Sequence, residues 1–306
     1  MNYRPEGCLF KTAANQKYIS SPEGLADAMG KGVILEARAE LCDSSHNLII
    51  DLPCGKGIIP REEGAIGIAE GKIRDIALIS RVNKIVCFKV VSLTNGSDGK
   101  LTVALSRKAA QEECSRSYIE RLCNGDVIEA KVTHLEQFGC FVDIGCGIPS
   151  MISIDAISVS RISHPGDRFS VGQLIRAVVK SKEQERICLS HKELLGSWDE
   201  NANEFEAGET VSGIVRSVEE YGIFVELTPN LAGLAEPREN VLPGQHVSVY
   251  IKAVIPEKMK IKLVIVDVCE DTERSVEMKY YYNSDHINSW KYSSESSGRF
   301  IGTEFN

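Results

Sequence analysis

Apolar and polar residues alternate with a period of two along two well-separated stretches of this chain. In the first, Gly125-Asp126-Val127-Ile128-Glu129-Ala130-Lys131-Val132 leads into Gln137-Phe138-Gly139-Cys140-Phe141-Val142-Asp143-Ile144. In the second, Gly208-Glu209-Thr210-Val211-Ser212-Gly213-Ile214-Val215 leads into Glu220-Tyr221-Gly222-Ile223-Phe224-Val225-Glu226-Leu227. The alternation predicts half-buried antiparallel strands. Recurrence at a fixed distance predicts repeated domains. Ile128, Ala130 and Val132 form one inward row, and Cys140, Val142 and Ile144 a second. The outward row then holds Phe141 and Asp143, or Phe224 and Glu226 in the later copy. Phe138 and Tyr221 stand just before a glycine that suits a bulge.

Each repeat continues into another glycine-led strand, Gly172 to Lys180 and Gly244 to Lys252, and a last strand, Arg186 to Ser190 and Lys260 to Val264. Five such strands closed on themselves make a small barrel. A more divergent copy lies upstream. Its strands are read at Gly32–Ala39, His46–Leu52, Ile85–Val90 and Lys100–Ser106, with a hairpin turn over Asn95-Gly96-Ser97-Asp98-Gly99. Between the barrels the pattern turns helical, over Ser106 to Cys123 and His191 to Asn203, and a short capped helix precedes the first barrel. The expected fold is mainly β: three tandem five-stranded barrels joined by helices. The expected division is an extension over 1–30, a barrel over 31–105, a linker helix over 106–123, a barrel over 124–190, a linker helix over 191–207, a shortened barrel over 208–269 and an appendage over 270–306. That appendage, rich in tyrosine and serine, shows little regular pattern, and its aromatics predict that it docks on the last barrel.

Composition changes this picture little. The chain has 306 residues, 43% of them hydrophobic, with no apolar run long enough to cross a bilayer and no signal-peptide layout at its start. It is expected to be cytoplasmic, without a membrane partner, and monomeric. The ten cysteines form no paired metal spacing, so they are expected to be reduced, with Cys140 and Cys188 buried in strands. Charge matters more. The net charge is −8, which weighs against a nucleic-acid binder. Much of the acidity, however, falls in the 191–207 joint and the tail, and the three barrels are each close to neutral, leaving room for a locally basic groove.

Large aromatics on the solvent side of a small barrel need a reason, and base stacking supplies one. Basic residues recur near the same face. They are Lys131, Lys180, Lys182 and Arg186 in the middle repeat, and Lys252, Lys258 and Lys260 in the last.

The runs Phe138-Gly139-Cys140-Phe141-Val142 and Tyr221-Gly222-Ile223-Phe224-Val225 resemble the Phe-Gly-x-Phe-Val motif of the S1 (S-one) RNA-binding domain family, which is named after a bacterial small-subunit ribosomal protein. Arg186-Ile187-Cys188-Leu189-Ser190 is similar to that family's Arg-Ile-x-Leu-Ser ending. The resemblance covers about Lys31 to Cys269 and extends to the helical joints of that ribosomal protein. It implies an OB-type barrel whose RNA groove is lined by Phe138, Phe141 and Arg186 in the middle repeat, and by Tyr221, Phe224 and Lys260 in the last. The family's histidine after the third strand is replaced near Ser153, Glu236 and Pro60. In the first repeat His46 and Ile49 stand where the aromatics would be. The first barrel is therefore expected to dock to the ribosome or another protein.

No catalytic constellation, cofactor site or metal site is found. The six histidines stand apart from cysteines and carboxylates at motif spacings, and no phosphate loop is present. The expected function is non-enzymatic binding of single-stranded RNA, messenger RNA in particular, with little sequence preference. Two alternatives stand beside it: a protein-interaction scaffold, and an accessory part of an RNA-processing assembly.

Overall fold

The computed structural model describes residues 3–95, 101–183, 186–269 and 278–305. The fold is mainly β, with three closed five-stranded barrels. The first is built from β1 (Leu35–Cys42), β2 (Leu48–Leu52), β3 (Gly55–Ile59), β4 (Ile85–Asn95) and β5 (Leu101–Ser106). The second contains β6 (Val127–Glu136), β7 (Gly139–Asp143), β8 (Pro149–Ser153), β9 (Leu174–Glu183) and β10 (Arg186–Ser190). The third contains β11 (Thr210–Glu219), β12 (Gly222–Thr228), β13 (Leu231–Ala235), β14 (His246–Ile255) and β15 (Lys260–Val268). The expected hairpin turn at residues 96–99 lies outside the described residues.

All three barrels close in the same way. The third and fifth strands pair in parallel, as Leu234 with Lys262 in the last barrel and Cys188 with Met151 in the middle one. Each first strand must serve two neighbours. β1 pairs with β4 through Leu35–Arg38 and with β2 through Arg38–Cys42, and a register shift between Ala39 and Leu41 supplies the bend. β11 carries the same irregularity between Val215 and Ser217. The inward rows are buried as the alternation requires: Ile128, Ala130, Val132, Cys140, Val142 and Ile144 in the middle barrel, and Val215, Ile223 and Val225 in the last.

The joints are shorter than the sequence pattern suggests. After α1 (Ala13–Ile19), α2 (Pro22–Lys31) starts on a Ser21 side chain that accepts from the Gly24 amide, and ends at Gly32 in the left-handed region. A single turn, α3 (Ile76–Ile79), lies inside the first barrel sequence. The helix expected over 106–123 is α4 (Arg107–Ser117), capped by Ser106 and followed by one 3-10 turn at Ile119–Arg121. The aromatic and β-branched pair Tyr118-Ile119 favours helix poorly. The 191–207 joint splits into a 3-10 turn, Lys192–Leu195, and α5 (Trp198–Ala202). Gly196 separates them at φ 84°, and a Cβ there would stand 2.7 Å from the Tyr281 ring.

The tail also departs from expectation. β16 (Ser289–Lys291) and β17 (Gly302–Glu304) pair antiparallel; three-residue strands are too short to show alternation. Trp290 and Tyr292 join the hydrophobic core of the third barrel, and the Tyr292 carbonyl accepts from the Trp198 amide at 2.8 Å. Cys140 is buried, but Cys188 is exposed, against the expectation for it, because it lies on the outer side of β10.

The chain divides into two compact units: Met1–Leu122 with Glu129–Lys131 and Asp143–Pro149, and Cys123–Ile128 with Val132–Val142 and Ser150–Asn306. Each has a buried polar centre. In the first, Arg107 donates to both carboxylate oxygens of Glu6 at 2.7 and 3.1 Å, and Glu6 also accepts from the Cys87 amide. Asp143 accepts from the amides of Glu6, Gly145 and Gly147 at 2.7, 2.8 and 3.0 Å. In the second, Glu226 accepts from Arg168 and, at 2.8 and 3.1 Å, from Arg216. Asp143 and Glu226, expected on the outward row, are thus both buried. Alternation assigns them to the outer side of the strand, but that side is covered.

His191 is also fully buried in the second unit. Its ring nitrogens meet the Ile157 carbonyl at 3.0 Å and the Tyr280 hydroxyl at 3.1 Å, and its edge faces Phe169. Burial, first of all, pushes its pKa down to about 4. The folded value lies below the unfolded one, so the unfolded chain binds more protons across the window between them, and acidification through that window destabilises the fold. The expected loss is about 3 kcal/mol once the pH is below the folded value, and about 2 kcal/mol of it is reached by about pH 5. The urea midpoint of the wild type should fall between about pH 7 and about pH 5, and that of His191→Gln should fall by less. An equal fall in both would show that His191 is not the group responsible.

Candidate nucleic-acid interface

Phe138 ends the turn between β6 and β7, and Gly139 begins β7. A Cβ at Gly139 would stand 2.3 Å from the carbonyl oxygen of Ile152, so the close approach of β7 to β8 requires glycine there. At the matching Gly222 the distance to the Ala235 carbonyl is 2.6 Å. Each glycine sets two aromatics side by side. Phe138 and Phe141 meet edge to face, with ring centroids 6.1 Å apart and planes at 89°. Tyr221 and Phe224 repeat this at 6.2 Å and 87°.

The pairs are open to solvent. Phe138 is 56% exposed and Tyr221 66%, while Phe141 and Phe224 are half-buried. Phe141 is anchored through its carbonyl, which accepts from the Thr133 hydroxyl at 3.1 Å, and the Phe138 carbonyl accepts from the Ile154 amide at 2.9 Å. The sequence reading missed His134. It is exposed on β6, its ring centroid lies 6.4 Å from that of Phe141, and its Nε2 is 2.7 Å from Glu136. Alternation marks His134 as a β6 residue but gives no sign that it meets Phe141.

The basic residues fall into two groups. Lys180 is exposed and Lys182 half-buried on β9, and Arg186 is exposed at the start of β10, opposite Glu183. Ser153, in the place of the family histidine, is half-buried at the end of β8. Its hydrogen bond, foremost, holds the Asp155 carboxyl below its usual range, helped by the charges of Lys180 and Lys192. Lys131 is engaged differently from expectation: its ammonium donates to the Glu6 carbonyl at 2.8 Å.

In the last repeat Lys252, Lys258 and Lys260 are all exposed. Lys252 pairs with Glu236 at 3.2 Å, an exposed contact of small energetic weight. Lys258 lies in the 3-10 turn Pro256–Lys258, and Lys260 opens β15. In the first barrel, Ile49 is buried and His46 lies 3.9 Å from Asp75, so no exposed aromatic pair forms at those positions. Among the described residues no cluster suits a metal ion, and no helix is long and apolar enough to cross a membrane.

A closed barrel with this aromatic pair defines a class. Residues 122–192 match the model of the S1 RNA binding domain family. The chain is also similar to small ribosomal subunit proteins bS1. It is 36% identical over 181 residues to the small ribosomal subunit protein bS1 of Staphylococcus saprophyticus, over 53% of this chain and 46% of that one. To bS1 of Leuconostoc lactis it is 29% identical over 243 residues, covering 74% of this chain and 55% of the relative. The chain thus spans about half the length of these curated relatives. A solved multidomain protein with nucleic acid binding domains from Streptococcus pneumoniae aligns over 76% of this chain and 73% of its own, at 14% identity and a TM-score of 0.26.

Proposed function

We propose that the middle barrel holds single-stranded RNA, messenger RNA in particular, and that the chain has a ribosomal-protein-like, non-enzymatic role in translation. One observation carries the reading: an exposed edge-to-face pair, Phe138 and Phe141, on the barrel that presents Lys180, Lys182 and Arg186. Unpaired bases expose π-faces that stack on such rings, whatever the base, and basic residues take the phosphates. The names of the matched family and of the bS1 relatives support RNA as the ligand and the ribosome as the setting. Tyr221 and Phe224, with Lys252, Lys258 and Lys260, make the last barrel a helper of the same kind. A tethered second site raises affinity through effective concentration.

A labelled oligouridylate titrated by fluorescence anisotropy tests this. Binding should weaken as salt rises, with a log–log slope of about −0.7 for each phosphate neutralised. An unlabelled single strand should compete far better than a duplex of the same length. Absence of binding at low salt would remove the proposal.

A second reading applies to the first barrel, which carries no exposed aromatic pair where His46 and Ile49 stand but exposes Ile66, Ile76 and Ile79. We assign it to contact with a protein, on the ribosome or in an RNA-processing assembly, rather than with RNA.

A further inference from the structure

The second unit carries a groove of about 430 Å³, within the range of small-ligand sites. Ile154, Trp290 and Ile301 give it apolar walls, and Asp155, Arg161 and Lys192 its charges. It starts beside the aromatic pair, because the Ile154 amide donates to the Phe138 carbonyl. Two basic side chains line it, Arg161 and Lys192. Lys180 and Lys192 both act on the Asp155 carboxylate, and Lys192 Nζ donates to the Asp155 carbonyl at 3.2 Å. Arg161 is exposed and makes no ion pair among the described residues.

A groove with ring-bearing walls and two cations suits a nucleotide: a base for the walls and a phosphate for the cations. We infer that it is a second nucleotide subsite, continuing the strand held by Phe138 and Phe141, with Arg161 and Lys192 on its phosphates and the segment around Trp290 and Ile301 as one wall. This rests on the RNA reading of the aromatic pair. It brings residues from beyond the matched domain, which ends at residue 192, into RNA binding.

The test uses the full chain and labelled oligouridylates from about 4 to about 16 nucleotides, the span of site sizes for single-strand-binding barrels. The shortest should bind the wild type and Arg161→Ala/Lys192→Ala alike. The longest should bind the double variant about tenfold more weakly, with a salt slope smaller by about 1.4, or 0.7 for each lost phosphate contact. Arg161→Glu alone, at an exposed position, should reproduce most of the loss, which guards against misfolding as its cause. Two results would overturn the inference. If long strands bind both proteins equally while Phe138→Ala/Phe141→Ala binds weakly, the subsite is wrong and the aromatic site stands. If no strand binds the wild type but poly-glutamate binds it and is lost in the double variant, the groove is an acidic-peptide site and the RNA reading falls with it.

Discussion

Glu226→Gln is expected to cost the second unit about 3–5 kcal/mol, the penalty for leaving buried charge unpaired. The carboxylate is 2% exposed and accepts from both Arg168 and Arg216. The Arg168 and Arg216 side chains are only 1% and 10% exposed, so two guanidiniums would remain out of water. Arg216 would keep Asp167 at 3.5 Å, so the loss falls mainly on Arg168. The urea midpoint reads the loss. A triple variant, Glu226→Leu with Arg168→Met and Arg216→Met, should recover much of it, because replacing a whole buried ion cluster by apolar groups is close to neutral. A single variant less than about 1 kcal/mol below wild type would show that water reaches this cluster.

Phe138→Ala/Phe141→Ala should lower affinity for single-stranded RNA about 100-fold or more, since each stacked base contributes about 1–3 kcal/mol. The fold should tolerate the change, because Phe138 is more than half exposed and Phe141 lies outside the buried inward rows. The salt slope should stay at its wild-type value, because the proposed phosphate contacts of Lys180, Lys182 and Arg186 remain. Truncating those three should do the reverse, lowering the slope while leaving stacking in place. Tyr221→Ala/Phe224→Ala should weaken binding less.

The sequence made part of this architecture plain and hid the rest, for definable reasons. The strand pairs β6–β7 and β11–β12 were legible because one face is buried and the other is not, so alternation marks them. The third strands were not, since Gly55–Ile59, Pro149–Ser153 and Leu231–Ala235 are short and each carries a glycine or proline, residues that read as turns. Phe138 and Phe141 stood out as apolar residues on the wrong side of a strand. Asp143 and Glu226 occupy the same outward row, yet their partners Glu6 and Arg168 lie 137 and 58 residues away in sequence. Local patterning cannot show what covers a strand. Lys131 lies on the outward side as expected, but its contact with the Glu6 carbonyl was hidden for the same reason, and His134 was overlooked because its neighbour Phe141 lies on the next strand. The tail was recognised as a docking segment by its aromatics, but its short strands and the Tyr280–His191 contact depend on tertiary packing.

Stacking on the middle barrel is the centre of this account, and a base that reports its own stacking tests it most directly. Single-stranded RNA carrying 2-aminopurine should be titrated with the wild type and with Phe138→Ala/Phe141→Ala, each to saturation. The account predicts strong quenching by the wild type and little by the variant. Saturation of the wild type without quenching, or equal quenching by both proteins, would contradict it.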